Sequence, residues 1–207
     1  MNLFQDETIS SISFDQDEIL QNIVYLHCAQ GFECDATYGY GGFYKKLPSP
    51  RLRFDLEPKV DGVTKASSTD LPLEDASITS LMYDPPFMAS WNKNTEDYVM
   101  AKKYGFVKGI KNLWKMYDDS LKEFHRVLQS QGILVVKCQD TVYSGKQYFS
   151  HMHIHNTAVD LGFHAKDLFI LLAKNRFTGN AEQKNARKYH SYFWVFKKKR
   201  FKAITIK

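Results

Sequence analysis

Apolar and polar positions alternate along the chain in a pattern that predicts helices interleaved with strands. Apolar residues recur at helical spacing in three segments, 15–29, 113–128 and 151–161. Short apolar runs between turn-forming or charged residues predict strands at 32–36, 51–56, 77–83, 133–137, 167–172 and 189–196. This alternation indicates an α/β fold with a mostly parallel sheet. The last two predicted strands are joined by a loop without a helix, which predicts an antiparallel pair.

The 207 residues contain no internal repeat or linker, so we expect a single domain over 1–207. Within it, 88–114 is too long for an ordinary connection and predicts a lid-like insertion, whereas 197–207 predicts a basic tail. The apolar runs are too short for a membrane-spanning helix, the acidic N-terminal segment is unlike a leader sequence, and the three cysteines form no CxxC pair. We therefore expect a cytoplasmic protein that does not span a membrane.

The net charge of +5 conceals an uneven distribution along the chain. Residues 1–173 contain 17 Lys and Arg against 22 Asp and Glu, whereas residues 174–207 contain 11 against one. A polyanion such as nucleic acid would be attracted to the basic end. A solubilising tail explains the same charges, so the distribution alone does not decide between them.

Chemistry-bearing residues follow the predicted strands, where open α/β sheets bind their ligands. The first strand runs into a turn that contains Asp35, Thr37, Gly39 and Gly41. Glycines permit a tight turn and a close approach of the backbone to a ligand. The turn matches neither the dinucleotide GxGxxG pattern nor a phosphate-binding loop, and loop geometry alone is the alternative explanation for its glycines.

Acidic residues come after the second strand and in the next loop. Asp55 and Glu57 are placed to accept hydrogen bonds from ribose hydroxyls, although a surface strand end would have the same composition. Asp70 and Leu71 lie in a Ser-Ser-Thr-Asp-Leu-Pro segment, which is also typical of a simple turn.

The most specific signal is the sequence Asp84-Pro85-Pro86-Phe87 at the end of an apolar strand. The prolines stiffen the backbone and remove two amide donors, which leaves carbonyl oxygens as local acceptors. The Asp84 carboxylate and a carbonyl can each accept a hydrogen from an NH₂ group, while the Phe87 ring covers the face of a planar ligand. The tetrapeptide therefore predicts a pocket for a planar group that carries an amine.

Together these residues resemble the motifs of amino-methyltransferases that use S-adenosylmethionine (SAM), especially DNA adenine-N6 and cytosine-N4 methyltransferases. The matching positions are Asp35-x-x-x-Gly39-x-Gly41, Asp55, Asp70-Leu71 and Asp84 to Phe87. The resemblance covers roughly residues 15–198, and the chain also looks like small phage or prophage DNA methylases. It departs from the family in having Ala36-Thr37 after the first Asp, and in leaving no room for a separate target-recognition domain. The residue after the two prolines is Phe87, which is shared by some DNA enzymes and by rRNA guanine-N2 methyltransferases.

The resemblance implies a Rossmann-like class I methyltransferase fold with an antiparallel last strand, and SAM as the cofactor. It implies SAM-binding roles for Asp35, Thr37, Gly39, Gly41, Asp55, Asp70 and Leu71, and catalytic roles for Asp84, Pro85, Pro86 and Phe87. The implied reaction is methyl transfer to an exocyclic base amine, with adenine N6 in DNA first, as in the DNA methylation of restriction-modification systems. An RNA base amino-methyltransferase acting on guanine N2 or adenine N6, and a non-catalytic nucleic-acid-binding module, stay open as alternatives.

Two segments, 88–114 and 175–188 together with Lys174, combine basic residues with aromatic or loop-forming residues and are candidates for contact with a polymer. The first segment contains aromatic rings that can stack on bases and lysines that can pair with phosphates. The predicted substrate contacts are Trp91, Lys93, Lys102 and Lys103 in that segment, and Lys174, Arg176, Arg187 and Lys188 in the second. Packing of the aromatic rings onto the domain is the alternative for the first segment. Whether the protein is a monomer or a dimer stays open.

The sequence His151-x-His153-x-His155 invites a metal interpretation. On a helix, His151 and His155 share a face and His153 points away, so that at most two of them could bind one ion. Without a nearby cysteine or fixed carboxylate, we expect no metal site.

Overall fold

Three helices account for the helical spacing seen in the sequence. The computed structural model describes residues 8–90, 107–174 and 184–200. Helix α1 spans Gln16–His27, α2 spans Ile110–Val127 and α3 spans Ser150–Asp160. All three predicted helices are thereby confirmed to within three residues at each end. None of the helices in these ranges is long and apolar enough to cross a membrane.

Twelve short and long strands occur in the described ranges. They are β1 (Ile12–Ser13), β2 (Cys34–Asp35), β3 (Leu52–Asp55), β4 (Thr64–Lys65), β5 (Ile78–Tyr83), β6 (Ala89–Ser90), β7 (Val107–Lys108), β8 (Leu128–Cys138), β9 (Thr141–Tyr143), β10 (Lys146–Tyr148), β11 (Phe163–Leu172) and β12 (His190–Lys198). The six predicted strands correspond to β2, β3, β5, β8, β11 and β12. The other six contain two or three residues each, which is too short to show a period of two.

Eight of these strands form one sheet in the order β1-β11-β12-β8-β5-β2-β3-β4. Strand β5 pairs in parallel with both β2 and β8, and β3 continues the parallel pairing from β2 to β4. Strand β12 runs antiparallel to both of its neighbours, β8 and β11. The predicted α/β fold, with a mostly parallel sheet and an antiparallel last strand, is confirmed.

The connections between β2, β3 and β5 contain no helix, which differs from the regular alternation that the sequence pattern predicts. The segment between β2 and β3 includes Gly39, Gly41, Pro48 and Pro50, and these residues disfavour helix formation. The chain therefore crosses between these strands as an irregular loop, which lies at the end of the sheet where ligands bind in such folds.

The core lies on both faces of the sheet. On one face, α1 packs against side chains such as Met82, Val135 and Phe193. On the other face, α2 and α3 pack against a larger group that includes Tyr83 and Leu134. Neighbouring residues of each central strand contribute to opposite faces, as the pleat requires, so the ends of the strands are held in register from both sides.

Candidate active site

Three neighbouring strands of the sheet, β2, β3 and β5, end side by side and bring the predicted site residues to one edge. Asp35 ends β2 and is paired in register with Arg53 of β3 and Met82 of β5. Asp55 ends β3, and Asp84 directly follows β5. The carboxyl ends of parallel strands thus place three carboxylates around the turn that follows β2, as the sequence pattern predicts.

Thr37 ties this turn to the Asp84 strand end. Its backbone amide donates to Asp35 Oδ1 at 2.8 Å, and its Oγ1 accepts from the Asp84 backbone amide at 2.7 Å. A single side chain therefore fixes the start of the glycine-containing turn relative to the first residue of the Asp-Pro-Pro-Phe segment.

Asp35 is buried, with 2% of its surface exposed. Its Oδ2 accepts from the Tyr44 hydroxyl at 2.5 Å. Burial raises the pKa of this carboxyl to about 7; the hydrogen bonds from Tyr44 and Thr37 oppose the rise, and the nearby Asp84 and Asp55 carboxylates add to it. Both carboxylate oxygens of Asp35 accept hydrogen bonds from residues of the turn, so Asp35 stabilises its conformation.

The two glycines of the turn serve different purposes. Gly39 has a φ of +56° and donates its amide to Asp55 Oδ2 at 2.8 Å, and a side chain there would project into open space. Gly41 has a φ of +71°, and a Cβ atom there would lie 2.7 Å from the Tyr38 hydroxyl. The Tyr38 ring in turn stacks on Tyr44 with ring centroids 5.4 Å apart, so Gly41 permits the packing that stiffens the loop.

Asp55 is held by backbone amides on both of its oxygens. Besides the amide of Gly39, the amide of Glu57 donates to Oδ1 at 2.9 Å. Glu57 itself is exposed and pairs with Lys59 at 3.0 Å. Each Asp55 oxygen keeps a further lone pair with which it can accept a ligand hydroxyl, whereas Glu57 points to solvent and to a lysine.

Asp70 and Leu71 lie in a turn that α2 holds in place. The Leu71 amide donates to Glu123 Oε1 at 2.8 Å, and Arg126 contacts both Glu123 and the Leu71 carbonyl. Burial opposes ionisation of Glu123, but Arg126 and the Leu71 amide together lower its pKa. Asp70 is exposed, whereas the Leu71 amide is already satisfied within the protein.

Asp84 opens the catalytic segment predicted from the sequence. Its side chain is 27% exposed and lies 3.6 Å from the ammonium group of Lys137. Burial raises the pKa of Asp84, and Lys137 opposes that rise. Pro85 is buried, and the Pro86 carbonyl accepts a hydrogen bond from the Tyr117 hydroxyl at 2.9 Å. Tyr117 belongs to α2, so this helix holds the Asp-Pro-Pro-Phe segment in place.

Lys137 lies beside Asp84 but is not among the site residues predicted from the sequence. Its ammonium donates to Gln16 Oε1 at 2.9 Å and lies 4.9 Å from the centroid of the Phe43 ring and 5.8 Å from that of the Phe87 ring. The side chain is 13% exposed. The sequence does show a lysine near the end of a predicted buried strand. Only the sheet order shows that this strand, β8, lies next to β5, which leads into Asp84.

The predicted substrate contacts are described in part. Lys174 and Arg187 are exposed, and Lys188 is half-buried. Lys174 follows the end of β11, and Arg187 and Lys188 precede β12, so all three lie at the same edge of the sheet as Asp84. Next to them, a cavity of about 310 Å³ is lined by residues that include Gln16, Gln139 and Lys174. Trp91, Lys93, Lys102, Lys103 and Arg176 lie outside the described residues.

The segment 88–114 that was predicted as an insertion is described only at its two ends. Strands β6 and β7 pair with each other and bring its two described ends together, and α2 already begins at Ile110. Trp114 is therefore a helical residue, and its ring stacks on His153 with centroids 4.2 Å apart. Residues 91–106 lie outside the described ranges.

The three histidines of α3 have separate polar partners. His151 contacts Asp140 and His153 contacts Asp118, each at 2.7 Å, and His155 contacts Asn156 at 3.0 Å. Within residues 8–90, 107–174 and 184–200, no group of three or more His, Cys, Asp or Glu side chains is arranged to hold a metal ion.

No protein-family model and no curated protein matches this chain. Among solved structures, it is similar to a chain from the complex between the Trm112 methyltransferase activator of Haloferax volcanii and a protein described as a methyltransferase, with a TM-score of 0.51 and 13% identity over 82% of each chain. A protein described as a DNA modification methylase from Thermus thermophilus, solved with S-adenosyl-L-methionine, is 18% identical over 65% of this chain with a TM-score of 0.44.

A SAM-dependent methyltransferase from Thermotoga maritima is 14% identical over 80% of this chain and 81% of its own, with a TM-score of 0.47. The present chain spans about half the length (54%) of the Thermus thermophilus protein. At these identities the likeness concerns the fold, and the Haloferax volcanii structure supports it along most of both chains. Together with the observed sheet order, it shows that the chain has the Rossmann-like fold of SAM-dependent methyltransferases.

Proposed function

We propose that this chain transfers the methyl group of SAM to an exocyclic amine of a nucleobase, with adenine N6 in DNA as the favoured target. The observation that carries the proposal is the position of Asp84. It directly follows β5 in a methyltransferase-like sheet and is tied through Thr37 to the glycine-containing turn. The sequence Asp84-Pro85-Pro86-Phe87 resembles the catalytic motif of DNA amino-methyltransferases, and its position in the fold agrees with that role.

The residues around the turn suit the chemistry of SAM, which combines a sulfonium, an ammonium group and two ribose hydroxyls. Three carboxylates, from Asp35, Asp55 and Asp84, surround the turn and favour a positively charged ligand. Asp55 retains lone pairs for the ribose hydroxyls. The Thr37-to-Gly41 turn would shape the methionine end, with open space in front of Gly39.

We assign the adenine ring of the cofactor to the Asp70 turn. The exposed Asp70 carboxylate would accept from the adenine amine. The Leu71 amide already donates to Glu123, so Leu71 contributes as part of the turn that positions Asp70 and not as a donor to the ring.

SAM supplies an activated methyl group, and the protein's own task is to position the attacking nitrogen. The Asp84 carboxylate and a backbone carbonyl would each accept one hydrogen of the target NH₂ group. Because Tyr117 already donates to the Pro86 carbonyl, we assign the second acceptor to Pro85. These acceptors direct the nitrogen lone pair and stabilise the positive charge that develops on nitrogen during transfer, while Phe87 packs against the base.

A nucleic-acid substrate is supported by the basic residues at this edge of the sheet. Lys174, Arg187 and Lys188 flank the carboxyl ends of the strands and can contact phosphates. In duplex DNA the target base would have to leave the stack, which costs a few kcal/mol.

The proposal is tested with purified protein, tritiated SAM and three polymers, namely duplex DNA, single-stranded DNA and total RNA. After digestion, we expect label in N6-methyldeoxyadenosine. The Asp84→Ala variant should lose methyl transfer by at least about 100-fold, because it removes an acceptor that acts on the target nitrogen, while it retains SAM binding measured by calorimetry.

The matched control is Asp61→Ala, which alters an exposed loop carboxylate and should transfer methyl groups at the wild-type rate. Label in RNA alone would redirect the proposal to an RNA base. Normal turnover by Asp84→Ala, or the absence of SAM binding by the wild-type protein, would contradict it.

A further inference from the structure

A second charged surface lies at the opposite edge of the sheet from Asp84. A cleft of about 280 Å³ is lined there by residues near the start of β11, by the end of β12 with the residues that follow it, and by Gln131 of β8. We call it the basic cleft; its lining residues are Gln131, His164, Lys166, Lys197, Lys199 and Arg200, together with Lys198. None of these described lining residues is acidic.

The position of the basic cleft follows from the antiparallel direction of β12. Tyr192 pairs with Cys138 at the edge that carries the candidate active site, and Lys197 pairs with Ile133 further back along β8. Five residues of extended strand separate these two levels, which corresponds to about 17 Å. The basic cleft is therefore separate from the candidate active site.

The sheet brings polar and basic side chains together in the basic cleft. The exposed His164 lies directly opposite Lys197 in the β11–β12 pair, at the separation at which cross-strand side chains interact. Lys166 occupies a bulge between Ala165 and Asp167, and bulges change the direction in which a side chain points. The pairing of the two strands therefore gathers Lys166 and Lys197 on one surface with the Lys199 and Arg200 that follow β12.

Within the described part of the chain, no carboxylate forms an ion pair with Lys166, Lys197, Lys199 or Arg200. Lys198 differs from them, because its ammonium is buried and donates to the carbonyls of His125 and Leu128. Concentrated like charge destabilises a folded protein unless a counter-charge is bound. The arrangement thus fits a ligand that supplies several negative charges at once.

We infer that the basic cleft binds the phosphate backbone of a nucleic acid, independently of the candidate active site. Four cations on two adjacent strands and the residues that follow them match a row of phosphates better than a single small anion. Contacts of this type position a polymer without reading its sequence. The inference does not require that the protein transfer methyl groups, because it rests on charge and position alone.

The test measures binding of fluorescein-labelled 20-nucleotide DNA by anisotropy without SAM, at several salt concentrations. The variant Lys166→Gln/Lys199→Gln/Arg200→Gln removes three charges from the basic cleft and keeps Lys198. We expect binding to weaken at least about tenfold near 50 mM salt, and the slope of log K against log salt to become shallower by about two to three.

The matched control, Lys59→Gln/Lys115→Gln/Lys122→Gln, removes the same charge from exposed residues outside the basic cleft and should bind much more tightly than the cleft variant. The variant Lys166→Arg/Lys199→Arg keeps these two charges and should retain the wild-type affinity for the labelled DNA. Equal affinity of the cleft and control variants would overturn the inference. So would a cleft variant that loses binding to phosphatidylserine vesicles but keeps binding to DNA.

Methyl transfer from tritiated SAM, measured on the same wild-type protein as DNA binding, separates this inference from the proposed function. If methyl transfer is never observed but the cleft variant still loses DNA binding, the basic cleft stands and the proposed function fails.

Discussion

Asp35 shows how a single buried carboxyl links folding to pH. Burial, together with the nearby Asp84 and Asp55 carboxylates, raises its pKa to about 7, and the hydrogen bonds from Tyr44 and Thr37 only partly oppose that rise. The folded protein therefore holds a proton that the unfolded chain releases near pH 4, and the stabilisation is lost as pH rises from about 4 to 7. The same residue that shapes the turn is thus a source of instability at neutral pH.

Replacing Asp35 with Asn should remove this pH dependence, because the amide does not ionise and its oxygen can still accept from the Thr37 amide. We expect the stability of Asp35→Asn relative to wild type to increase by up to a few kcal/mol between pH 4 and pH 8. Urea unfolding at a series of pH values measures the difference. The exposed Asp61→Asn variant is the control, and parallel stability curves for Asp35→Asn and wild type would refute the assignment.

Lys137 acts on the proposed reaction through Asp84, from which its ammonium lies 3.6 Å away. Loss of that charge in Lys137→Met should raise the pKa of Asp84 further, because a partly buried carboxylate would lose its counter-charge. We expect the acidic limb of the kcat/KM profile to move to higher pH, whereas Lys137→Arg keeps the wild-type limb. A uniform loss of activity at every pH would indicate a purely structural role.

At the scale of elements, hydrogen bonds from Lys198 join β12 to the C-terminal end of α2. The Lys198 ammonium at the end of β12 donates to the carbonyls of His125 and Leu128 at 2.5 and 2.7 Å. These carbonyls lie at the C-terminal end of the helix, where backbone acceptors lack partners within the helix and a cation is favoured. Lys198 is therefore a helix-capping residue, although the sequence presents it as one of a run of basic tail residues.

Lys198→Met should lower the free energy of unfolding by about 1–3 kcal/mol, because it leaves two helix-end carbonyls without this donor. Lys199→Met removes the same charge from an exposed neighbour and should change stability by less than about 0.5 kcal/mol. Chemical denaturation of both variants compares their free energies of unfolding directly. Equal stabilities would show that the buried contacts of Lys198 contribute little.

Deleting 197–207 would remove the Lys198 contacts with α2 together with the tail. Point substitutions therefore test the charge of the tail separately from its contribution to stability.

At the scale of the whole molecule, the sheet separates two charged surfaces. Its carboxyl edge gathers the Asp35, Asp55 and Asp84 carboxylates, and its other edge carries the basic cleft. The overall net charge of +5 describes neither surface. Because each edge collects residues from strands distant in sequence, the proposed cofactor site and the proposed polyanion site lie at different edges of one sheet.

Binding of SAM should stabilise the whole fold. At a concentration 100 times its Kd, a ligand that binds only the folded state adds about 2.7 kcal/mol, which for a chain of this size raises Tm by about 5–10 °C. NADH should produce no shift, because the turn after β2 lacks the dinucleotide GxGxxG pattern. Thermal scans with each ligand decide this, and a shift with NADH but not with SAM would contradict the proposed cofactor.

The sequence by itself determined the strands and helices that are long enough to bury an apolar face, such as β5, β8 and α2. It also determined where each strand ends, because Asp35, Asp55 and Asp84 interrupt apolar runs. Apart from β2, strands of two or three residues were not predicted, since they form through pairing with neighbours and not through their own periodicity.

Only the tertiary structure decided what depends on contacts between distant segments. The pairing of β5 with β8 brings Lys137 to Asp84, α2 engages the Leu71 amide through Glu123, and the direction of β12 sends the basic run to the far edge. In each case two side chains or strands more than 50 residues apart meet because the sheet order places them together. The local sequence carries the chemistry of each group, and the fold determines which groups act on one another.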